Sequence, residues 1–240
     1  MNKLLLTKIR LSWYFIFFFL MYLLLAIILP RQKFDGGALT LFSVNSFLYG
    51  FYISPILSSQ KARIEELHKI VRSEANALFA MALDTKDLPE KPRNKLQEML
   101  MDYMDKNLHD HRVAGEKAYE ELISYVVDYK GEGKEKLEKF LEKLVANQQN
   151  RTSFAMQMNS KVFSNEWMIM FVLFSITMSF VLVLDTGPQP IFRVVTALLC
   201  TGLSMLVLIL IKMSTLTHKR AKQIWKPFEK LVESRFYRID

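Results

Sequence analysis

The stretch ALTLFSVNSFLYGFYISPIL, residues 38 to 57, contains no Asp, Glu, Lys, Arg or His. At about 1.5 Å of rise per residue, a helix of this length crosses a hydrocarbon layer of roughly 30 Å. Three more runs are about as long and mainly apolar: LSWYFIFFFLMYLLLAIIL at 11 to 29, WMIMFVLFSITMSFVLVL at 167 to 184 and IFRVVTALLCTGLSMLVLILI at 191 to 211, the last with Arg193 near its start. Lipid offers no partner to a bare backbone, so all four are expected to be helices. The breaks within each pair, Pro30 to Gly37 and Asp185 to Pro190, are short enough to predict two hairpins. The predicted fold is all-α: four transmembrane helices in two hairpins with a cytosolic helical bundle between them. Lys3, Lys8 and Arg10 precede the first run as they would a signal peptide. That run is too long for one, however, and ends at Leu29-Pro30-Arg31 without a small-residue cleavage site, so it is expected to be retained.

Charge gives the orientation. Lys3, Lys8 and Arg10 come before the first span. Lys61, Arg63, Lys69 and Arg72 follow the second, and Lys212, Lys219, Arg220, Lys222 and Lys226 follow the fourth. The two tips carry only Arg31, Lys33 and Arg193. Both termini and the middle region are therefore expected to face the cytoplasm, in a multi-pass protein of the cytoplasmic membrane. The predicted layout is an N-terminal segment with the first hairpin (1–57), a helical body (58–166), a second hairpin (167–211) and a basic tail (212–240).

A formal charge of +8 and a pI near 9.4 would suit a nucleic-acid partner if the charge lay on the soluble part. It does not. Residues 58–166 hold 18 Lys plus Arg against 19 Asp plus Glu, so the excess sits beside the membrane, where it serves topology and attraction to lipid headgroups. No nucleic-acid partner is expected. The single cysteine, Cys200, excludes an intramolecular disulfide and a thiolate zinc site, and reads as a small buried hydrophobe.

The body keeps a helical period throughout. The second span is expected to continue past Pro55 through Ile64, Leu67, Ile70, Val71, Ala75, Leu78, Phe79 and Ala82. After a turn at 84–92, with Pro92 placed to begin a helix, comes a face of Leu96, Met99, Leu100, Tyr103, Met104 and Leu108. Tyr119, Leu122, Ile123 and Val126 mark a third helix, ended by Gly131-Glu132-Gly133. Leu137, Phe140, Leu141, Leu144 and Val145 mark a fourth. Such faces pack against one another or between subunits.

Chemistry is sparse. The carboxylates mostly alternate with lysines, as in Lys134-Glu135-Lys136-Leu137-Glu138-Lys139, the pattern of a solvated helix face. His109-Asp110-His111, with Asp105 before it, is the one cluster resembling a metal site. Positions two apart on a helix point about 200° apart, so an exposed helix end is the simpler reading. Glu166 beside Trp167 is the isolated candidate for an enzyme at the membrane surface, and the pair also suits the interfacial start of a span. With no phosphate loop, nucleophile elbow or zinc-helix motif, no catalytic residue, metal or cofactor is expected. No charge lies at the centre of a span, which counts against pumps and coupled transporters.

The second span is the polar one. At about 100° per residue, Thr40, Ser43, Phe47, Gly50, Phe51 and Ser54 share one face, opposite Asn45, Tyr49 and Tyr52. Small residues of this kind let helices approach closely in any bundle. They also suit a pore wall, with the phenylalanines as a hydrophobic constriction.

The segment Ser46-Phe47-Leu48-Tyr49-Gly50-Phe51-Tyr52-Ile53-Ser54 resembles the second-helix motif of the bestrophins: Ser-Phe, two residues, Gly-Phe-Tyr, a β-branched residue and a hydroxyl. The order of spans and body is similar too. The chain also resembles the prokaryotic bestrophin-like membrane proteins at Arg72 with Glu74-Ala75 and Leu78, at Leu88-Pro89 followed by Arg93 and Tyr103, and at Arg151 before Trp167. The resemblance implies a homo-oligomeric ion channel, pentameric and anion-conducting, with a neck at Ser43, Phe47 and Phe51 and the remaining stripe at Thr40, Gly50 and Ser54. Its implied partners are further copies of the chain, membrane lipids and a permeant inorganic ion such as chloride. Three features depart from the animal bestrophins. The acidic calcium clasp is missing, so no calcium gating is expected; Ser43 replaces a bulky apolar residue; and the Arg-Phe-Pro segment is absent. Lys226-Pro227-Phe228-Glu229 only faintly echoes their Asn-Pro-Phe-Gly segment. The residues leave a second class open: a non-conducting membrane-anchored scaffold or signalling module whose cytosolic helices recruit a protein partner.

Overall fold

The computed structural model describes residues 9–109, 115–187, 189–217 and 223–233. Among the residues weighed above, Lys3, Lys8, Asp110, His111, Pro188, Lys219, Arg220 and Lys222 lie outside that description. The elements are α1 (Leu11–Ile28), α2 (Gly36–Asp84), a 3-10 turn (Thr85–Asp87), α3 (Glu90–His109), α4 (Gly115–Asp128), α5 (Lys134–Asn159), α6 (Ser164–Val183), α7 (Pro190–Ser214) and α8 (Lys226–Glu233). No strand occurs among the described residues. The helices bearing the four apolar runs are all long and apolar enough to cross a membrane. The chain divides into two compact units, residues 1–64 with 161–221, and 65–160 with 222–240.

Local chemistry sets the helix ends. The Asp35 carboxylate accepts a hydrogen bond from the Ala38 backbone N–H at 2.7 Å and caps α2. Within α2, Pro55 is accommodated without ending the helix, at the loss of the N–H that the Phe51 carbonyl would have accepted. Gly133 precedes α5 with φ of 87°, and a Cβ there would meet Pro89 at 2.9 Å, so both backbone and space require glycine. The Glu166 carboxylate accepts from the Phe163 backbone N–H at 2.9 Å, which gives this candidate residue a capping role at the start of α6. Pro190 occupies the first turn of α7, where a missing N–H costs nothing.

In the first unit, α6 and α7 form the centre. Tyr22 of α1 packs with Met178, Ala197 and Cys200, and its hydroxyl hydrogen-bonds Ser204 at 2.7 Å. On the other cluster, Tyr49 and Ile53 of α2 pack with Met170, Val207 and Leu210. α1 therefore lies chiefly on α7, and the two helices joined by the first tip meet α6 and α7 at separate clusters. The tips themselves are tied. Gln32 N–H donates to the Val183 carbonyl at 2.9 Å, Asp185 N–H to the Gln32 carbonyl at 3.0 Å, and Arg31 to the Gly187 carbonyl at 2.9 Å. Cys200 is fully buried, as a small hydrophobe should be. Arg63, read above as a topological charge, is also buried and donates to Gln60 at 2.9 Å and to the Ser214 carbonyl at the end of α7 at 3.3 Å.

In the second unit, α3 packs on α4 and α8, and α4 packs on α5. The predicted apolar faces turn inward at Leu67, Val71, Leu78, Leu96, Leu100, Leu122, Phe140 and Leu144. Phe79 and Val145 depart from expectation, remaining 40% and 59% exposed. α8 contributes Phe228, fully buried beside Trp225, so part of the sequence read as a basic tail packs in this unit. The helix expected to begin at Pro92 starts two residues earlier, at Glu90, with Pro92 inside its first turn.

Candidate functional site

Two places concentrate functional chemistry, one in each unit. The first is the polar side of α2. Asn45, Tyr49 and Tyr52 face inward: Tyr49 is 3% exposed, and Asn45 donates to Thr177 Oγ1 at 2.8 Å and to the Leu173 carbonyl at 3.2 Å. These bonds between helices fix which side of α2 is turned toward α6. The remaining side carries Thr40, Ser43, Phe47, Gly50, Phe51 and Ser54, and every one of them is exposed in the single chain. Phe47 and Phe51 are 70% and 71% exposed, with their rings stacked at 6.0 Å and 18°. The Thr40 and Ser43 hydroxyls donate to their own helix, to the carbonyls of Gly36 and Leu39 at 2.9 Å each, leaving oxygen lone pairs outward. A Cβ on Gly50 would meet nothing within 4 Å, so packing inside the chain does not explain this glycine.

The second place was not visible as a site in the sequence. Glu74, Tyr103 and Arg151, which carried three separate parts of the family resemblance, come together inside the second unit. The Tyr103 hydroxyl donates a hydrogen bond to Glu74 Oε1. The Arg151 guanidinium lies over the Tyr119 ring at 4.2 Å and the Tyr103 ring at 5.6 Å. Tyr119 donates to the Leu144 carbonyl at 2.5 Å and accepts from Asn147 at 3.3 Å. Glu74 is 5% exposed and the two tyrosines 1% or less. Burial pushes the Glu74 carboxyl above the usual carboxylate range, against the opposing pull of the Tyr103 hydrogen bond and the Arg151 charge. Burial likewise pushes Tyr119 up to about 12. A carboxyl within the apolar series Ile70, Val71, Ala75 and Leu78 was the available signal. Its partners come from three other helices, which no local pattern announces. Arg72, quoted with Glu74 in the resemblance, is exposed.

Among the described residues, no group of three or more His, Cys, Asp and Glu could hold a metal ion. The proposed cluster at His109-Asp110-His111 lies partly outside them, and Asp105 is exposed.

A family model described as a Bestrophin-like domain matches residues 15–218. Neither the curated proteins nor the solved structures yield a match.

Proposed function

This chain belongs to the Bestrophin-like family, and on that premise we propose that it is a membrane ion channel built from several copies of itself. The single observation that carries this reading is the side of α2 left uncovered. Asn45 and Tyr49 anchor one face to α6 and α7, while Phe47 and Phe51 stand about seven-tenths exposed on the other. In an assembly around a common axis, that second face lines a neck. Phe47 and Phe51 form its apolar ring, Ser43 lies one turn before it, and Thr40, Gly50 and Ser54 complete the wall. Rings of aromatic side chains pass ions briefly or close by dewetting. The body and both termini face the cytoplasm, following the basic residues that flank the spans. The assembly is pentameric and the permeant ion an inorganic anion, as the family resemblance implies.

Reconstitution into liposomes with a flux or current recording tests this. Wild-type protein is expected to conduct, and Phe47→Ala with Phe51→Ala to raise conductance and loosen selectivity. Unchanged conductance and selectivity in the double variant removes the neck assignment. A monomer or dimer by mass in mild detergent removes the channel and favours the membrane-anchored scaffold, since one subunit of four spans has little room for a water-filled path.

A further inference from the structure

We propose that Glu74 is a proton-responsive positioning residue for α2, holding that helix on α3, α4 and α5 through Tyr103 and Arg151 and so regulating the path that α2 lines. The regulatory half rests on the channel reading above; the positioning half does not.

Glu74 sits on the buried face of α2, one turn from Val71 and Leu78, where an aliphatic residue would fit the pattern. The groups that act on it come from three other helices: Tyr103 from α3, Tyr119 from α4 and Arg151 from α5. On its own helix, Arg72 is exposed and His68 half-buried. The two protonation states make different demands on this setting. A neutral acid accepts the Tyr103 hydroxyl and fits an apolar interior. A carboxylate draws Arg151 closer but loses hydration that one hydrogen bond and one ring-stacked guanidinium only partly replace. Arg151 is already engaged over two rings, so moving it toward the carboxylate disturbs the tyrosine pair. A change at residue 74 therefore alters how α2 docks. Glu74 and the stripe from Thr40 to Ser54 lie on one unbroken helix, Gly36 to Asp84.

The sign follows from the direction of the shift. A carboxyl raised in the folded state binds its proton more tightly there than in the unfolded chain. This contribution to stability is present at low pH and is lost as pH rises through the folded-state value.

The test is a pH series on full-length protein, reading thermal unfolding in detergent and ion flux in liposomes for wild type, Glu74→Gln and Tyr103→Phe. Wild type is expected to lose stability with rising pH and to change flux across the same window. Glu74→Gln, which keeps an acceptor for Tyr103, should flatten both profiles. Tyr103→Phe removes an influence that lowers the carboxyl value, so it should move the window to higher pH. A Glu74→Gln protein with the wild-type pH profile of stability overturns the proposal. If that variant does not assemble, an unmoved window in Tyr103→Phe overturns it instead. A wild type that passes no ion at any pH defeats the channel reading and with it the regulatory half; the stability profiles still decide the positioning half.

Discussion

The two units turn opposite kinds of surface outward. In the first, large apolar side chains face outward, with Trp13 at 66%, Phe17 at 60% and Ile28 at 67% exposure, while Thr177, Thr201 and Ser204 are inside. In the second, the described lysines, and the described glutamates other than Glu74, line the outer surface in whole or in part, while Tyr103, Tyr119, most leucines and Phe140 are inside. The contrast identifies the solvent each unit was built for. An outer surface of phenylalanine and isoleucine at this density is stable against lipid and unstable against water. The first unit is consequently held by packing and by a few bonds between helices, such as Asn45 to Thr177, and the second by removal of apolar surface from water. The exposed stripe of α2 breaks the first unit's rule, because its outer surface mixes hydroxyls, a glycine and two phenylalanines.

Substitutions of the same residue type in the two units sharpen the comparison. Phe140→Ala empties a fully buried position in the water-facing unit and is expected to cost about 3–5 kcal/mol in a denaturant titration in detergent. Gly133→Ala forces a left-handed backbone on alanine and drives its Cβ against Pro89. It should cost about 1–2 kcal/mol, read as a lower unfolding midpoint. Asn45→Leu removes the bonds from α2 to α6 while keeping the number of side-chain heavy atoms and should cost about 1 kcal/mol, with α2 becoming more susceptible to proteolysis. Phe47→Ala, at 70% exposure in one chain, should change monomer stability by less than about 0.5 kcal/mol; a loss as large as that at Phe140 would mean the stripe packs inside its own subunit. The exposed pair Lys95 and Glu98, at 2.9 Å, is expected to contribute nothing measurable when Lys95→Ala breaks it.

How legible each feature was in the sequence follows the range of the forces behind it. Four spans could be read because span length is set by bilayer thickness, a property of the run alone. The inward faces of the body could be read because a helix repeats every three to four residues, so Leu96, Leu100 and Tyr103 align without knowledge of their partners. The break before α5 could be read at Gly133, whose positive φ only glycine adopts freely. The seating of α1 on α7 could not be read, because α1 is apolar on every side and its directional contacts, Tyr22 with Ser204 and the Tyr14 ring with Lys212, join residues far apart in the chain. The Glu74 cluster escaped for the same reason, as four helices must fold before its members meet. The stripe on α2 was read from periodicity, and the structure adds only that its six residues are exposed together.

Substituted-cysteine labelling tests the central claim most directly, since the one native cysteine, Cys200, is buried. Phe47→Cys and Phe51→Cys would be exposed to a charged, membrane-impermeant thiol reagent in liposomes, alongside Leu20→Cys on α1, a residue 58% exposed among outward-facing apolar side chains. If α2 lines a shared aqueous path, both substituted phenylalanine positions react, and Leu20→Cys, shielded by lipid, does not. If Phe47→Cys and Phe51→Cys are as unreactive as Leu20→Cys, that face meets lipid or protein and no path runs along it.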